Sequence, residues 1–138
     1  MSGFLLDTNV ISELVKPKPE AKVVGWIRAT DENLLYLSVL TLGEIRKGVD
    51  RIPDPTRKVE LEAWLSGELV LRFTERILGV DQSVADRWGQ ITALAKNPLP
   101  VIDGLLAATA IEHNLTFVTR NTKDVAATGV QVFNPWKP

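Results

Sequence analysis

The chain has 138 residues, 45% of them hydrophobic and 24% charged, and its 16 basic and 17 acidic side chains leave a net charge of −1. That length suits one domain with one core, and the lack of any run of about 18 apolar residues argues against a membrane span. With no cysteine and one histidine, disulfides, cysteine nucleophiles and multi-histidine zinc sites are excluded, catalysis is left mainly to carboxylates, and any nucleic-acid contact has to be local.

The start, Met1-Ser2-Gly3-Phe4, has no basic region followed by an apolar stretch, so the expected location is cytoplasmic. Phe4, Leu5 and Leu6 form an apolar run that stops on Asp7, Thr8 and Asn9, after which Val10, Ile11, Leu14 and Val15 recur at helical spacing. This reads as a buried strand, a turn and a helix, with Asp7 at the carboxyl end of the strand, where open α/β sheets place their ligands. Asp7 or Thr8 would also serve as a cap for that helix, and both readings stay open. Lys16-Pro17-Lys18-Pro19 is a break, Pro19 opens a second helix to about Thr30, and Leu34 to Leu37 is a second buried strand. Ser38 caps a helix whose Leu42, Ile45, Val49 and Ile52 face inward, with Glu44 on the edge of that stripe and Arg46, Lys47 and Arg51 outside.

Pro53-Asp54-Pro55 ends that helix, and another starts near Pro55 and carries Val59, Leu61, Trp64, Leu65 and Leu69, with Gly67 weakening its middle. Ile77 to Val80 is a short third strand, and Asp81 and Ser83 introduce a helix through Val84, Trp88, Ile91, Leu94 and Ala95. After the interruption at Asn97-Pro98-Leu99-Pro100, a small-residue helix begins at Asp103 and closes near Asn114, its alanines suited to close packing on a sheet. Thr116 to Thr119 is a fourth strand, a helical turn follows Asn121 to Asp124, and Val130 to Phe133 is the last strand. Strands alternating with helices over the whole length call for a parallel sheet covered on both faces.

Three acids occupy related places: Asp7 after the first strand, Glu44 early in the helix after the second, and Asp103 at the start of the helix that feeds the fourth. Thr119, Asn121 or Asp124 adds a polar group after the fourth strand, and in a parallel sheet all of these gather at one edge. Asp103 also reads as an N-cap, Asn121 with Asp124 as a capping pair, Asp81 as a cap and His113 as a helix-end residue. Glu44 is different, because a carboxylate beside an apolar stripe inside a helix caps nothing and is costly to half-bury without a partner. Converging carboxylates repel one another, so they make sense chiefly around a divalent cation, and an oxygen-only donor set favours Mg²⁺ or Mn²⁺. A receiver-like signalling domain would need an aspartate at the end of a central strand, whereas the middle strands end at Ser38 and Val80-Asp81; no GxGxxG or GxxxxGK[ST] is present.

Five blocks, Leu5-Leu6-Asp7-Thr8-Asn9, Leu42-Gly43-Glu44-Ile45-Arg46-Lys47-Gly48, Ile102-Asp103-Gly104-Leu105-Leu106-Ala107-Ala108-Thr109-Ala110, Val118-Thr119-Arg120-Asn121-Thr122-Lys123-Asp124 and Asn134-Pro135-Trp136, together resemble a PIN-domain ribonuclease. More narrowly they are similar to the VapC-type toxins of bacterial type II toxin–antitoxin systems, including the FitB-like branch, with residues 1–138 forming one PIN domain. The resemblance implies a PIN-like three-layer α/β/α sandwich around a parallel sheet of about four or five strands. It also implies a homodimer, Mg²⁺-dependent endonucleolytic hydrolysis of RNA, and a cognate VapB-type antitoxin through which the complex binds DNA. By motif, Asp7, Glu44 and Asp103 match the three acidic metal ligands. The usual fourth acid follows the Thr-Arg pair, where this chain has Asn121, while Asp124 matches the acid three residues on, so either is the fourth ligand. Gly104 and Val125 are further departures, standing where alanine and an aromatic are frequent. The alternative is a catalytically degenerate PIN domain kept for partner binding, against which the three intact acids argue. Arg46, Lys47 and Arg51 are the expected phosphate-holding face. Leu40, Trp64, Leu65 and Leu69 are the expected apolar groove for an amphipathic antitoxin helix.

Overall fold

The computed structural model describes residues 2 to 138. Its centre is a five-stranded sheet, β1 (Phe4–Leu6), β2 (Leu35–Ser38), β3 (Ile77–Leu78), β4 (Thr116–Val118) and β5 (Val132–Phe133), in the order β3-β2-β1-β4-β5. Every neighbouring pair is parallel, with Leu5 opposite both Tyr36 and Phe117. The strands are mostly apolar because helices cover both faces, so alternate side chains enter different cores instead of alternating between core and water. Leu6, Leu35, Leu37 and Val118 pack with Val10, Ile11, Val23, Ile27, Ile45, Val49 and Phe73 on one face. Leu5 and Phe117 pack with Leu106, Ala107, Ala110 and Val125 on the other.

The first face is built by α1 (Thr8–Leu14), α2 (Ala21–Ala29), α3 (Val39–Asp50) and a long arm made of α4 (Pro55–Ala63), a π-helical stretch Trp64–Leu69 and the turn α5 (Val70–Arg72). The second is α7 (Val101–Glu112), with α6 (Gln82–Leu94) laid over it through Val84, Ile91 and Ala108 and the short α8 (Thr122–Val125) after β4. Ala107, Ala108 and Ala110 are wholly buried, as the small-residue pattern predicts. A Cβ on Gly104 would stand 3.2 Å from the Trp88 indole, so glycine there lets α6 close on α7.

Several boundaries differ from the sequence reading. Helix α2 begins at Ala21, capped by the Glu20 carboxylate, not at Pro19, and Leu34 belongs to a 3₁₀ turn capped by Asp31 before β2. Strand β3 is shorter than expected and stops at Leu78. Helix α7 begins at Val101 behind Pro100, so Asp103 lies in its first turn and is not its cap. Gly67 does not merely weaken its helix: it sits within the π-helical stretch, and Leu65 and Leu69 of that stretch are buried core instead of open groove.

The order of the sheet fixes where a ligand can go. From β1 the sequence runs outward on one side through β2 and β3 and on the other through β4 and β5. Such a reversal opens a crevice beyond the carboxyl ends of the two strands that meet there, here β1 and β4.

Candidate functional site

Asp7 and Thr119 are the residues that follow β1 and β4, and both are buried. The Thr119 hydroxyl donates to Asp7 Oδ2 at 2.7 Å across the crevice, and Thr8 N–H donates to Asp7 Oδ1 at 2.7 Å. Asp7 is therefore the N-cap of α1, and it keeps its place at the crevice while capping. Asn9 completes the turn: its Nδ2 lies 3.4 Å from Asp7 Oδ2 and 3.3 Å from Thr119 Oγ1, and its Oδ1 accepts Arg120 N–H at 3.4 Å. The Asn121 N–H donates to Thr119 Oγ1 at 3.1 Å.

Glu44 comes from the second turn of α3, and its Oε1 accepts the Thr8 hydroxyl at 2.6 Å. That contact is the partner its half-buried position demands. Asp103, half-buried, enters from the first turn of α7. Each acid therefore comes from a different element, and they converge because all three elements start at the carboxyl edge of the sheet.

The electrostatics show the convergence. Burial pushes the Asp7 carboxyl above the usual carboxylate range, against the lowering by the Thr119 hydroxyl and the Thr8 amide, and the charges of Asp103 and Glu44 push it further up. Burial also raises Asp103, followed by the charges of Asp124 and Glu44. None of Asp7, Glu44, Asp103 and Asp124 takes part in a salt bridge among the described residues. No three carboxylates or imidazoles among the described residues stand close enough to hold one ion directly. Oxygen-only donors of this kind would suit a hard divalent cation. All donors are oxygens, like charges face each other without a counter-charge, and ions such as Mg²⁺ keep several waters and take one or two carboxylates.

The remaining sequence-selected residues are less uniform. Asp124 reaches Asp103 electrostatically, while the exposed Asn121 side chain makes no cap hydrogen bond to α8. Arg46 is committed to Asp50 at 3.1 Å and Glu62 at 3.2 Å, leaving Lys47 and Arg51 as the free cations of that face of α3. Sequence reasoning treated Asn9 only as a turn residue, although a short amide two positions after a strand-end acid is well placed to bridge two neighbouring turns. Beside Glu44 and Thr8 lies an apolar hollow of about 190 Å³ lined by Val15, Ile45, Val49, Ile52, Leu61 and Trp64.

Comparison with known proteins places this geometry. A family model described as PIN domain matches residues 4–129. The toxin FitB of Neisseria gonorrhoeae is 41% identical, covering 96% of this chain and 98% of that protein. A VapC ribonuclease of Sinorhizobium fredii is 38% identical over 98% and 99%. Among solved structures, FitAcB from Neisseria gonorrhoeae superposes with a TM-score of 0.93 at 40% identity, covering 98% of this chain and 99% of that one. FitAB bound to a DNA fragment superposes with 0.91 at 38% identity over 96% and 95%. The matched fold and the ordered run of motifs through it agree: the chain belongs to the PIN-domain family, in the branch that includes the FitB toxin and VapC ribonucleases.

Proposed function

We propose that the protein is a Mg²⁺-dependent endoribonuclease and the toxin of a type II toxin–antitoxin pair. The observation that carries this reading is the convergence of Asp7, Glu44 and Asp103 at the β1/β4 crevice, none of them in a salt bridge among the described residues. Asp7 and Asp103 would hold the ion, with Mn²⁺ an alternative to Mg²⁺, and Asp124 would contribute from its edge through water, or Asn121 through its carbonyl oxygen. When bound, such an ion supplies positive charge to the scissile phosphate and lowers the pKa of water.

The chain's own residues set up the rest. The Thr8 hydroxyl holds Glu44 beside Asp7 through the 2.6 Å hydrogen bond, where the carboxylate would orient an attacking water. Thr119 and Thr8 N–H hold the Asp7 carboxylate in one rotamer and favour its charged form against burial. Lys47 and Arg51 on α3 provide positive charge for the substrate backbone.

The cognate VapB-type antitoxin would lay an amphipathic helix into the apolar hollow beside Glu44, covering the way to the acids. A homodimer bound to DNA through the antitoxin is the corresponding assembly. Support comes from the solved relatives, since FitAB is known in a complex with DNA. Within the described residues no helix is long and apolar enough to cross a membrane.

The test is RNA cleavage by the purified chain with Mg²⁺ and with EDTA, beside the product of the neighbouring reading frame. Cleavage that needs the divalent ion and stops on adding that product is expected. Metal-independent cleavage, or none under any divalent ion, removes this reading and leaves the degenerate, partner-binding one.

A further inference from the structure

Beside the crevice, next to Asp124, runs a trench that most of the roles assigned above do not use. Three open concavities of about 560, 310 and 400 Å³ follow one another along the surface. The first lies between the α6–α7 connection and α8, with Lys96 on its wall, and shares Lys123 and Asp124 with the second. The second shares Arg120, Asn121, Asn134 and Lys137 with the third, which runs on to Lys22 and Trp136. Asp124 therefore marks where the trench passes the acid cluster.

The trench gathers five cations that are unpaired among the described residues, while Lys18, Arg28, Lys47, Arg51 and Lys58, also unpaired, lie outside it. Lys16, Arg46, Arg57, Arg72, Arg76 and Arg87 each pair with a carboxylate. Among the described residues Lys22, Lys96, Arg120, Lys123 and Lys137 make no salt bridge, although Glu20 and Asp124 also line the trench. Its walls are fixed. The Arg120 guanidinium lies 5.2 Å over the Trp136 ring, Asn134 Oδ1 accepts Trp136 N–H at 2.9 Å, and Asn134 Nδ2 donates to the Arg120 carbonyl at 3.4 Å. The segment Thr119 to Asn121 under it is hydrogen-bonded to Asp7 and Asn9. A strand lying in the trench would thus pass beside Asp124 and over the segment that is hydrogen-bonded to Asp7.

We propose that single-stranded RNA flanking the cleaved bond lies in this trench, with successive phosphates on Lys22, Lys137 and Lys123 and bases against the exposed plane of Arg120 and the amides of Asn121 and Asn134. Unpaired cations spaced along a groove with a stacking surface and side-chain amides are what binds a single strand with little sequence demand. The proposal rests on the ribonuclease reading and adds the path of the substrate.

The experiment uses a labelled mixed-sequence single-stranded RNA of about 20 nucleotides, a length sufficient to cross a site of several nucleotides, and fluorescence anisotropy in the cleavage-silent Asp7→Asn background. Adding Lys22→Gln, Lys123→Gln and Lys137→Gln should weaken binding roughly tenfold or more at ~0.1 M salt and reduce the log–log salt slope by about 2, the value for three lost single-strand phosphate contacts. A control carrying Lys18→Gln, Arg28→Gln and Lys58→Gln, outside the trench, should leave both nearly unchanged. Equal affinity and slope in the trench variant, or an equal loss in the control, overturns the proposal. So does a trench variant that keeps RNA affinity but loses binding of an oligoglutamate peptide, which would assign the trench to an acidic protein partner. RNA binding that depends on the trench while the unsubstituted protein cleaves no RNA overturns the ribonuclease reading and leaves the trench assignment standing.

Discussion

Two charged clusters at opposite ends of β2 handle their carboxylates in opposite ways. Before the strand, Glu32 accepts a bidentate pair from Arg72, at 3.0 and 2.9 Å, and a further bond from Arg76 at 3.2 Å, and these cations hold its carboxyl below the usual range. Beyond the strand, Asp7, Glu44 and Asp103 face one another without a cation, and Asp7 and Asp103 are pushed above the usual range. Arg76 also donates to the carbonyls of Glu32, Leu35 and Arg72 and lies over the Phe73 ring, so the first cluster ties the end of the helical arm to the sheet. One cluster is complete as it stands and holds the fold. The other is held together by its neighbours against its own repulsion, the arrangement expected where an external cation completes the site.

The largest expected effect separates the two clusters by activity. Asp103→Asn removes a charged oxygen donor without touching a cap, since α7 is entered from Pro100, and Mg²⁺-dependent RNA cleavage should fall by orders of magnitude. Glu32→Gln should leave the cleavage rate within a factor of about two, because surface charge changes far from a site act weakly through solvent. Single-turnover assays on both variants decide it, and an active Asp103→Asn protein would take Asp103 out of the site.

The second effect is the reverse, on stability. Arg76→Ala leaves three backbone carbonyls short of a donor and one carboxylate short of a partner, and each unsatisfied buried acceptor costs about 1 to 3 kcal/mol. With some carbonyls rescued by water, a loss of about 2 to 4 kcal/mol in urea unfolding is the expected result. A loss under about 0.5 kcal/mol, as for an ordinary surface substitution, would show that this corner does not hold the arm to the sheet.

Much of the acid cluster was legible in the sequence because each acid adjoins a strand end or a helical stripe whose period is plain, and a parallel sheet puts all such places on one edge. The contrast with the Arg76 corner was not legible, because Arg76 bonds mostly to carbonyls and those leave no trace in residue type. The burial of Leu65 and Leu69 was missed for a different reason: their spacing marks one apolar face together with Leu61 and Trp64, and the period alone does not tell whether that face meets the core or a partner. The start of α7 was misplaced because an acid three residues into a helix and an acid at its cap look alike in sequence. The trench cations escaped notice since they come from the α6–α7 connection, α2, the β4–α8 turn and the tail, which only the fold brings together.

A third, smaller effect uses the metal-free protein. Neutralising Asp103 relieves repulsion from Asp124 and Glu44 and the cost of its own burial, so Asp103→Asn should be more stable than the parent by on the order of 1 kcal/mol in EDTA. Asp7→Asn should gain less, because the Asp7 carboxylate accepts from Thr8 and Thr119 in its charged form and an amide in its place sets a second donor against Asn9. Thermal melts in EDTA rank the two, and a destabilised Asp103→Asn protein would mean that the repulsion is not felt in the fold.

The smallest effect is the pH dependence, and its sign distinguishes the clusters without any substitution. Asp7 and Asp103 have folded pKa values above the ordinary 3.8, so over the window between 3.8 and those raised values the folded state binds more protons than the unfolded state. Stability contributed by these groups therefore rises as pH falls from neutral into that window. Glu32 and Glu13 have folded pKa values below the ordinary 4.5, so their stabilisation is fully present above 4.5 and is lost as pH falls through the lowered values. In EDTA the melting temperature should thus climb on mild acidification and then drop at stronger acidity. If the acids hold Mg²⁺ as proposed, a saturating concentration would bind their charged forms in competition with protons, so in its presence the climb should vanish or turn into a decline, and in metal-free Asp103→Asn it should be reduced. Melts over a pH series with and without Mg²⁺ provide the test: a metal-free protein whose stability only declines from neutral pH downward would mean that the Glu32 type of carboxylate governs the whole molecule and that the acids at the crevice carry no strain for a cation to relieve.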